Sequence, residues 1–383
     1  MALLCSSPHS YSRSTYHAHG LCFGISFINP LSTVALKVWP SRVDAEMWSK
    51  LSKFVVLDID GVILRGGSLI EGATKSIQRL IDHEIPYVFV TNGGGMTEAK
   101  KAQDLTKKVG INVLESQVIL SHTPFKGLKK DFSHSRVLVI GGEPRCVEVA
   151  KSYGFEKAVS VADLHAENKN IYPLRDSPMS DDASHATKEA VEAVLVFHDP
   201  VDWGLEMQIM SDLLSPTYSA CLASTENRKR GHIPVYVSNA DIVYTTEYPI
   251  PRFTQGAFVS AFKHLYESYH HQPLHINYCG KPYPVQYHYA QQMLALEAQR
   301  LEKAQSNEAG DSFNPINAVY FGVGDNPKSD IRGANHAGSD WKSILVRTGV
   351  FNDRSAVNDA EDPAAFVVED IAAAVDVIVN YKE

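Results

Sequence analysis

The chain has few cysteines and no motif that would pair them or bind zinc. Only five of its 383 residues are Cys, and they lie far apart without a C-x-x-C pair. Scattered thiols of this kind favour a reducing compartment over a disulfide-stapled secreted fold. The 16 histidines include no H-E-x-x-H sequence and no Cys/His spacing typical of zinc sites. The sequence therefore supports neither a zinc site nor a disulfide scaffold.

Acidic residues are missing from the start of the chain. No Asp or Glu precedes Asp44, whereas Ser and His are frequent. Such a start is typical of an organelle transit peptide, so residues 1–48 are predicted to be a targeting or disordered extension. We expect a mitochondrial location, with a cytoplasmic one as the alternative. Residues 14–36 carry no formal charge, but His, Gly, Asn and Pro interrupt them, so we expect no transmembrane span.

A strongly basic charge balance is also missing. Lys and Arg number 36 against 44 Asp and Glu, which gives a formal net charge of −8. An acidic chain is a poor match for the phosphate backbone, so we expect no nucleic-acid partner. The remaining composition, 44% hydrophobic and 21% charged, is that of a globular protein. The length predicts two or three domains with substantial cores.

Short apolar runs alternate with helical patterns from residue 54 onward. Phe54–Ile59 and Tyr87–Thr91 have the composition of buried strands, and helices are predicted near Thr74–His83 and Thr97–Val109. This βαβα order predicts a doubly wound, Rossmann-like α/β fold with a parallel sheet. Further strands are predicted at Arg136–Ile140, Ala193–Phe197, Val235–Tyr244, Ala318–Val323, Ser343–Val346 and Ala365–Val368.

Two acidic residues stand at the end of the first predicted strand. Asp58 and Asp60 are two positions apart, so strand alternation points both side chains the same way. The carboxyl ends of parallel strands are where open α/β sheets bind ligands. Buried acids there would need a cation or a metal as a partner. Taken alone, the pair also fits a solvated acidic turn.

Three later segments add donors, a cation and a further acid pair. Thr91-Asn92-Gly93 ends the second strand with a hydroxyl and a glycine-rich turn, which suit a phosphate group. Gly280-Lys281-Pro282 supplies a cation, and Gly324-Asp325-Asn326 begins a segment that reaches Asp330. Each segment alone fits an ordinary turn, a solvated lysine or a helix cap. What distinguishes these segments from such ordinary features is their order along the chain: D-x-D-G-V, V-T-N-G, G-K-P and G-D-x-x-x-x-D.

This ordered set resembles the haloacid dehalogenase (HAD) superfamily over about residues 51–383. The long insertion between Asn92 and Lys281 resembles the C2 cap of subfamily IIA. The segments RVLVIGGEPRCVEVAKSYGF and SNADIVYTTEYPIPRFTQGAF resemble the opening and the closing segments of such a cap. Within that subfamily, the chain is most similar to the eukaryotic branch named after cat eye syndrome critical region protein 5. The resemblance implies a HAD core at residues 49–125 and 252–383 with an α/β C2 cap at residues 126–251.

The resemblance also implies a role for each site residue. Asp58 would be the nucleophile and Asp60 the general acid and base. Mg²⁺ would be held by the Asp58 carboxylate, the Asp60 carbonyl and Asp325, since Mg²⁺ prefers oxygen ligands and retains several waters. The phosphoryl group would be bound by Thr91, the amides of Asn92 and Gly93, and Lys281. Supporting roles fall to Asp330 and Asn326.

The implied activity is that of a Mg²⁺-dependent phosphatase. It would hydrolyse a small-molecule phosphate monoester through an aspartyl-phosphate. Two alternatives remain: a catalytically weak binding or regulatory protein of the same fold, and a phosphotransferase linked to glycerophospholipid metabolism. The cap residues Asn239, Asp241 and Arg252 are candidates for substrate specificity because they lie where the cap returns to the core. A homodimer is a further expectation from the subfamily.

Overall fold

A computed structural model describes residues 52–173, 189–216, 232–244, 248, 250–305, 318–352, 355 and 357–382. The chain divides into two compact units, Met1–Asp44 and Ala45–Glu383, and all described residues belong to the second. The predicted extension at residues 1–48 lies outside the described residues. Within the described ranges, no helix combines the length and the apolarity that crossing a bilayer requires.

The strands and helices alternate along the described residues. The strands are β1 Ser52–Leu57, β2 Leu64–Arg65, β3 Ser68–Leu69, β4 Tyr87–Val90, β5 Val118–Ile119, β6 Arg136–Ile140, β7 Lys157–Ser160, β8 Val191–Val196, β9 Val235–Val237, β10 Val243–Tyr244, β11 Arg252–Phe253, β12 Ile276–Tyr278, β13 Ala318–Gly324, β14 Trp341–Val346 and β15 Phe366–Val368. The helices are α1 Ala73–Asp82, α2 Glu98–Val109, α3 Lys129–Phe132, α4 Arg145–Ser152, α5 Val161–Glu167, α6 Trp203–Leu214, α7 Gln255–His270, α8 Pro284–Gln305, α9 Arg332–Ala337 and α10 Ile371–Asn380.

The first sheet has six parallel strands in the order β15-β14-β13-β1-β4-β5. Val55 and Leu57 of β1 pack on one face against α1, α2 and α10, whereas Phe54 and Val56 pack on the other face against α8 and α9. Helices on both faces explain why the strands are continuous apolar runs, because neither face is in contact with water. The predicted doubly wound α/β core is confirmed.

A second parallel sheet has five strands in the order β12-β9-β8-β6-β7. Leu138 and Val194 face a cluster formed with α5, α6 and α7, whereas Val139 and Leu195 face a second cluster that includes α4 and Phe125. We call this sheet with its packed helices the second α/β unit. It is a separate α/β layer system inserted between β5 and β13 of the first sheet.

One sequence prediction differs from the structure within this unit. Val235–Tyr244 is not one strand, because β9 ends at Val237 and β10 begins only at Val243. The break is an Asx turn in which the Asn239 side-chain oxygen accepts from the backbone nitrogen of Asp241 at 2.8 Å. Helix α7 and strand β12 also pack with the second sheet. We therefore propose that the second α/β unit ends after Tyr278, where the chain returns to the elements that pack on the first sheet. This position is later than the boundary at residue 251 that the sequence predicts.

Helix α2 begins and ends on clear local signals, and its first residue belongs to a buried cluster described below. The Thr97 hydroxyl accepts from the backbone nitrogen of Lys100, which caps the start of the helix. Gly110 ends it in the left-handed conformation, with φ of 74°, which favours glycine. These signals place Glu98 in the first turn, where the helix dipole stabilises a negative charge.

Glu206 on α6 is a buried carboxyl group that should make stability depend on pH. Burial, followed by the charge of Glu143, raises the pKa of Glu206 to about 8, from an ordinary value of 4.5. Between these two values the unfolded chain has released the proton and the folded chain retains it, so stability falls as pH rises. We expect Glu206→Gln to raise the melting temperature at pH 8 by several degrees, with the gain becoming small near pH 5 and vanishing below the unfolded pKa of 4.5. The exposed Glu148→Gln is the control, and an equal gain at both pH values would contradict this explanation.

Candidate active site

The strand ends of the first sheet bring three of the predicted site residues to one edge. Strand β1 lies between β13 and β4 and is parallel to both. Asp58, Thr91 and Asp325 each directly follow the end of one of these strands. All three are buried, with exposed fractions of 6%, 2% and 4%. Parallel pairing alone therefore explains why residues far apart in sequence meet here.

Lys281 lies at the centre of the site although it follows β12 of the second unit. Its Nζ donates to Asp58 Oδ1 at 2.5 Å, to Asp330 Oδ1 at 2.6 Å and to the Val90 carbonyl at 3.2 Å. An ammonium group has three donors, so all of them are used. Because Lys281 is only 3% exposed, this complete set of partners is what makes its burial tolerable.

Burial and charge shift the pKa values of the site in different directions. Burial raises the pKa of Asp58 well above its ordinary value, against the charge of Lys281. Burial alone would lower the pKa of Lys281, but the charges of Asp330 and Asp58 outweigh it and raise the pKa. Burial, followed by the charge of Asp330, raises the pKa of Asp325 to about 7. Three carboxyl groups thus share one cation, and the site has a deficit of positive charge.

Carboxylate oxygens of Asp58, Asp325 and Asp330 lie within 4.8 Å of one another, and all three residues are buried. This spacing suits a hard divalent cation with oxygen ligands. Asp330 is the least available of the three for binding a metal ion, because both of its carboxylate oxygens already accept hydrogen bonds. One accepts from Lys281, and the other accepts from the Asn326 backbone nitrogen at 3.1 Å. Asp58 and Asp325 are therefore the residues that could hold a metal, with Asp330 orienting Lys281.

Asp325 is held in place by a loop that no sequence motif marks. The backbone nitrogen of Val350 donates to Asp325 Oδ2 at 2.6 Å. A Cβ at either Gly349 or Gly61 would overlap the Asp325 carboxylate, and Gly61 also has φ of +91°. Both glycines are therefore needed for close approach, and no pattern around Gly349 indicates this in the sequence.

The Asn92 side chain joins the two α/β units. Its Oδ1 accepts from the Lys281 backbone nitrogen at 2.9 Å, and its Nδ2 donates to the Lys281 carbonyl at 3.0 Å. The same Nδ2 donates to Asp241 Oδ2 at 2.9 Å. Burial raises the pKa of Asp241. Of the three candidate specificity residues, Asp241 is the one whose side chain hydrogen-bonds to a residue of the predicted site within the described part of the chain. The Asn239 side chain forms the Asx turn. Arg252 is exposed and lies over the Tyr248 ring.

The remaining predicted residues lie in the turns next to the buried cluster of Asp58, Lys281, Asp325 and Asp330. The Gly93 backbone nitrogen donates to Thr91 Oγ1 at 2.9 Å, and Thr91 follows β4, the strand paired with the one that Asp58 follows. Asp60 is exposed and forms a bridge with Leu64 at the start of the short β2–β3 hairpin. The Asn326 side chain accepts from the Lys328 backbone nitrogen at 3.0 Å and shapes the turn that carries Asp330. The fold thus groups the buried predicted residues and leaves Asp60 at the solvent side.

Comparison with known proteins identifies the family. The family model described as haloacid dehalogenase-like hydrolase matches residues 55–156, and the one described as HAD-hydrolase-like matches residues 278–374. A mitochondrial hydrolase of Saccharomyces cerevisiae is 36% identical over 335 residues, which cover 83% of this chain and 93% of the yeast protein. The chain belongs to the haloacid dehalogenase-like hydrolases. The family predicted from the four motifs is confirmed, whereas the eukaryotic branch stays a prediction.

Two further comparisons concern a fused relative and a solved structure. A Schizosaccharomyces pombe fusion of cardiolipin synthase (CMP-forming) with a mitochondrial hydrolase is 35% identical over 303 residues. These residues cover 78% of this chain and 48% of the fusion protein, so the chain spans about half its length. The p-nitrophenyl phosphatase of Archaeoglobus fulgidus superposes with a TM-score of 0.57 at 16% identity, covering 85% of this chain and 99% of that one. At this identity the likeness shows the fold alone.

Proposed function

We propose that this HAD hydrolase is a phosphatase that cleaves a small-molecule phosphate monoester, with Asp58 as the nucleophile. The observation that carries the proposal is the buried contact of Lys281 with both Asp58 and Asp330, beside Asp325 and the Thr91 hydroxyl. A cation fixed against a carboxylate at a strand end is a site built for a transferring anion. The phosphatase name of the Archaeoglobus structure is consistent with this activity.

The proposed reaction has two steps that use this chain's own groups. An Asp58 oxygen attacks phosphorus, the ester bond breaks, and Asp60 gives a proton to the departing alkoxide. Water then attacks the aspartyl-phosphate, with Asp60 taking its proton, and inorganic phosphate leaves. Lys281, Thr91 and the Gly93 amide bind the phosphoryl oxygens through both steps, with Lys281 exchanging its Val90 carbonyl contact and the Gly93 N–H exchanging its Thr91 contact for the phosphoryl group. Exposure of Asp60 suits this role, because the leaving group must depart towards solvent.

The residues present fit a bound Mg²⁺ ion. Asp58 and Asp325 would hold it, together with the backbone carbonyl of Asp60, since a carboxylate-rich and cation-poor site is what a hard divalent ion requires. When bound, Mg²⁺ would neutralise charge on Asp58 and on the phosphoryl oxygens. Burial and the charge of Asp330 raise the pKa of Asp325 to about 7, and a neighbouring divalent cation would favour its ionised form. We therefore propose Mg²⁺ as the cofactor.

A second candidate is a role in glycerophospholipid metabolism, as a hydrolase or a phosphotransferase. It is favoured by the fusion of a relative of this chain to a cardiolipin synthase. The names of the yeast and fission-yeast relatives also support our proposal of a mitochondrial location. The homodimer and the C2-cap role of the second unit are retained as proposals. Transfer of phosphate to an added alcohol such as glycerol would distinguish a phosphotransferase from a hydrolase.

A phosphate-release assay on the full chain with Mg²⁺ tests the proposed function. The panel would contain phosphosugars, glycerol phosphates, lysophosphatidic and phosphatidic acids, nucleotides, phosphoamino acids and pyridoxal phosphate. We expect turnover that Asp60→Asn strongly reduces for esters with poor leaving groups and reduces less for p-nitrophenyl phosphate. The exposed Asp82→Asn is the matched control. If folded protein with Mg²⁺ released no phosphate from any ester, the binding-protein alternative would replace the proposal.

Gly349→Ala should weaken metal binding without removing any ligand. The added methyl group would overlap the Asp325 carboxylate, which must then move away from its position beside Asp58. We expect the Mg²⁺ concentration for half-maximal activity to rise about tenfold or more, since positions this close to a ligand tune metal affinity by about 10–100-fold. Gly127→Ala, with no atom near its added methyl group, is the control. An unchanged Mg²⁺ requirement in Gly349→Ala would show that Asp325 is not a metal ligand.

A further inference from the structure

A buried line of hydrogen bonds leads away from the glycine turn that follows Thr91. The Gly95 backbone nitrogen donates to His122 Nε2 at 3.2 Å, and His122 Nδ1 lies 2.9 Å from the Tyr153 hydroxyl. The Tyr153 hydroxyl in turn donates to Glu98 Oε1 at 2.6 Å. His122, Glu98 and Tyr153 are 0%, 2% and 6% exposed. None of these three side chains belongs to the site described above.

The partners determine which way each hydrogen points. His122 Nε2 receives the Gly95 N–H, so it carries no proton, and the neutral ring must carry its proton on Nδ1. Nδ1–H therefore donates to the Tyr153 oxygen, and the Tyr153 proton is left to donate to Glu98. Burial lowers the pKa of His122 to about 4, which keeps the ring neutral. The chain of donors thus runs in one direction, from Gly95 to Glu98.

Glu98 is the charged end of this line. Its Oε1 also accepts from the Thr123 hydroxyl at 2.7 Å and lies 3.1 Å from Lys126 Nζ. Burial by itself would raise the pKa of Glu98, but the Tyr153 hydrogen bond and the Lys126 charge outweigh it and lower the pKa. A charged acceptor strengthens each hydrogen bond made to it. The Tyr153 proton is therefore committed to Glu98 and leaves the Tyr153 oxygen free to accept from His122.

The same line connects the two α/β units. Tyr153 follows α4 of the second unit, whereas Gly95 and Glu98 lie on either side of the start of α2 in the first. The His122 ring packs 5.1 Å from the Phe197 ring and lies directly beneath the turn, since a Cβ at Gly94 would be 2.8 Å from its Cδ2. The turn thus packs on the His122 imidazole, whose orientation is set by a tyrosine of the other unit, and Gly95 also packs against the His198 ring.

We propose that His122 and Tyr153 are positioning residues for the phosphoryl-binding turn. This inference rests on the proposed function, in which Thr91 and the Gly93 amide bind the phosphoryl oxygens. Neither side chain touches the phosphate. His122 fixes Gly95 through its Nε2 acceptor, and the backbone nitrogen of its neighbour Ser121 donates to the Gly93 carbonyl at 3.2 Å, so the turn is tied at both ends to the segment that carries His122. Tyr153 keeps that acceptor available by holding the proton on Nδ1.

Tyr153→Phe tests the inference because it removes the hydroxyl and keeps the ring. We expect the dissociation constant for inorganic phosphate, measured calorimetrically with Mg²⁺ present, to rise about five- to tenfold. KM for an ester should rise by a similar factor while kcat changes less than about threefold, since the lost positioning acts on bound phosphate in general. The ¹⁵N shifts of His122 should change from a pure Nδ1–H tautomer to a mixture.

Matched variants separate positioning from a loss of stability. Tyr266→Phe also removes a buried hydroxyl of the second unit, which donates to the Leu214 carbonyl at 2.7 Å, and should leave phosphate affinity unchanged. His122→Gln can keep an acceptor for Gly95 and should be less impaired than His122→Leu. If Tyr153→Phe kept the turnover and the phosphate affinity of the wild type, the inference would be overturned and the proposed function would stand. A wild type that neither binds nor releases phosphate would overturn the proposed function, and the inference with it.

Discussion

Asp58→Asn is expected to abolish phosphate release. An amide of the same shape cannot form the aspartyl-phosphate, and removal of a nucleophile that acts with a set of groups typically costs at least about 10³-fold in kcat. The measurement is kcat for the best ester of the panel, with enough enzyme to detect residual activity of about one part in 10⁴. Activity within tenfold of wild type would exclude Asp58 as the nucleophile.

The structure also predicts that this variant keeps its fold. The amide side chain introduced by Asp58→Asn retains an oxygen that can accept from Lys281, whose other partners Asp330 and Val90 are unchanged. Burial raises the pKa of Asp58, so an uncharged side chain is tolerated at this position. We therefore expect an unfolding temperature at or above that of the wild type. Lost activity with retained stability would separate the chemical role of Asp58 from a structural one.

Lys281→Met is expected to reduce both activity and stability. Loss of one fixed electrostatic contact to a transferring group costs about 10²–10³-fold in kcat. Removing one partner of a buried ion pair costs about 3–5 kcal/mol of unfolding free energy, because the acids Asp58 and Asp330 are left without their cation. The measurements are kcat for the best ester and the midpoint of urea unfolding.

The double variant Lys281→Met/Asp330→Asn distinguishes the two effects. Removing one of the two stranded acids should restore much of the lost stability, since less uncompensated charge remains buried. Activity should stay as low as in Lys281→Met, because the cation that binds the phosphoryl group is still missing. Recovery of activity together with stability would contradict a catalytic role for Lys281. It would show instead that the lysine only holds the fold together.

Residues at the ends of parallel strands can be located from sequence because their position follows from topology. Asp58, Thr91 and Asp325 each follow an apolar run, and parallel pairing brings such ends to one edge. The strands themselves are recognisable because burial on both faces requires continuous apolar runs, as in Arg136–Ile140. Their bounds differ from the prediction by only a few residues, since the ends of β1 and β4 are set by the same acidic and polar residues.

Contacts between the two units cannot be predicted in the same way. Asn92 meets Asp241, and His122 meets Tyr153, through tertiary packing that no local spacing encodes. His122 lies in a polar turn, Ser121-His122-Thr123, that resembles an ordinary loop in the sequence. The pattern of Val235–Tyr244 predicts one strand because its apolar residues continue past the Asx turn at Asn239. Gly349 gives no signal, since only the nearby Asp325 carboxylate makes a side chain impossible there.

Trapping the covalent intermediate is the most direct test of the central claim, that Asp58 is the nucleophile. Borohydride added during turnover reduces an aspartyl-phosphate to homoserine, which peptide mass spectrometry locates in the sequence. We expect substrate-dependent homoserine at position 58 in the wild type and none in Asp58→Asn. It should be more abundant in Asp60→Asn if the second step is slowed more than the first. Turnover without any modified Asp58, or homoserine formed at another acid such as Asp60 or Asp325, would contradict the claim.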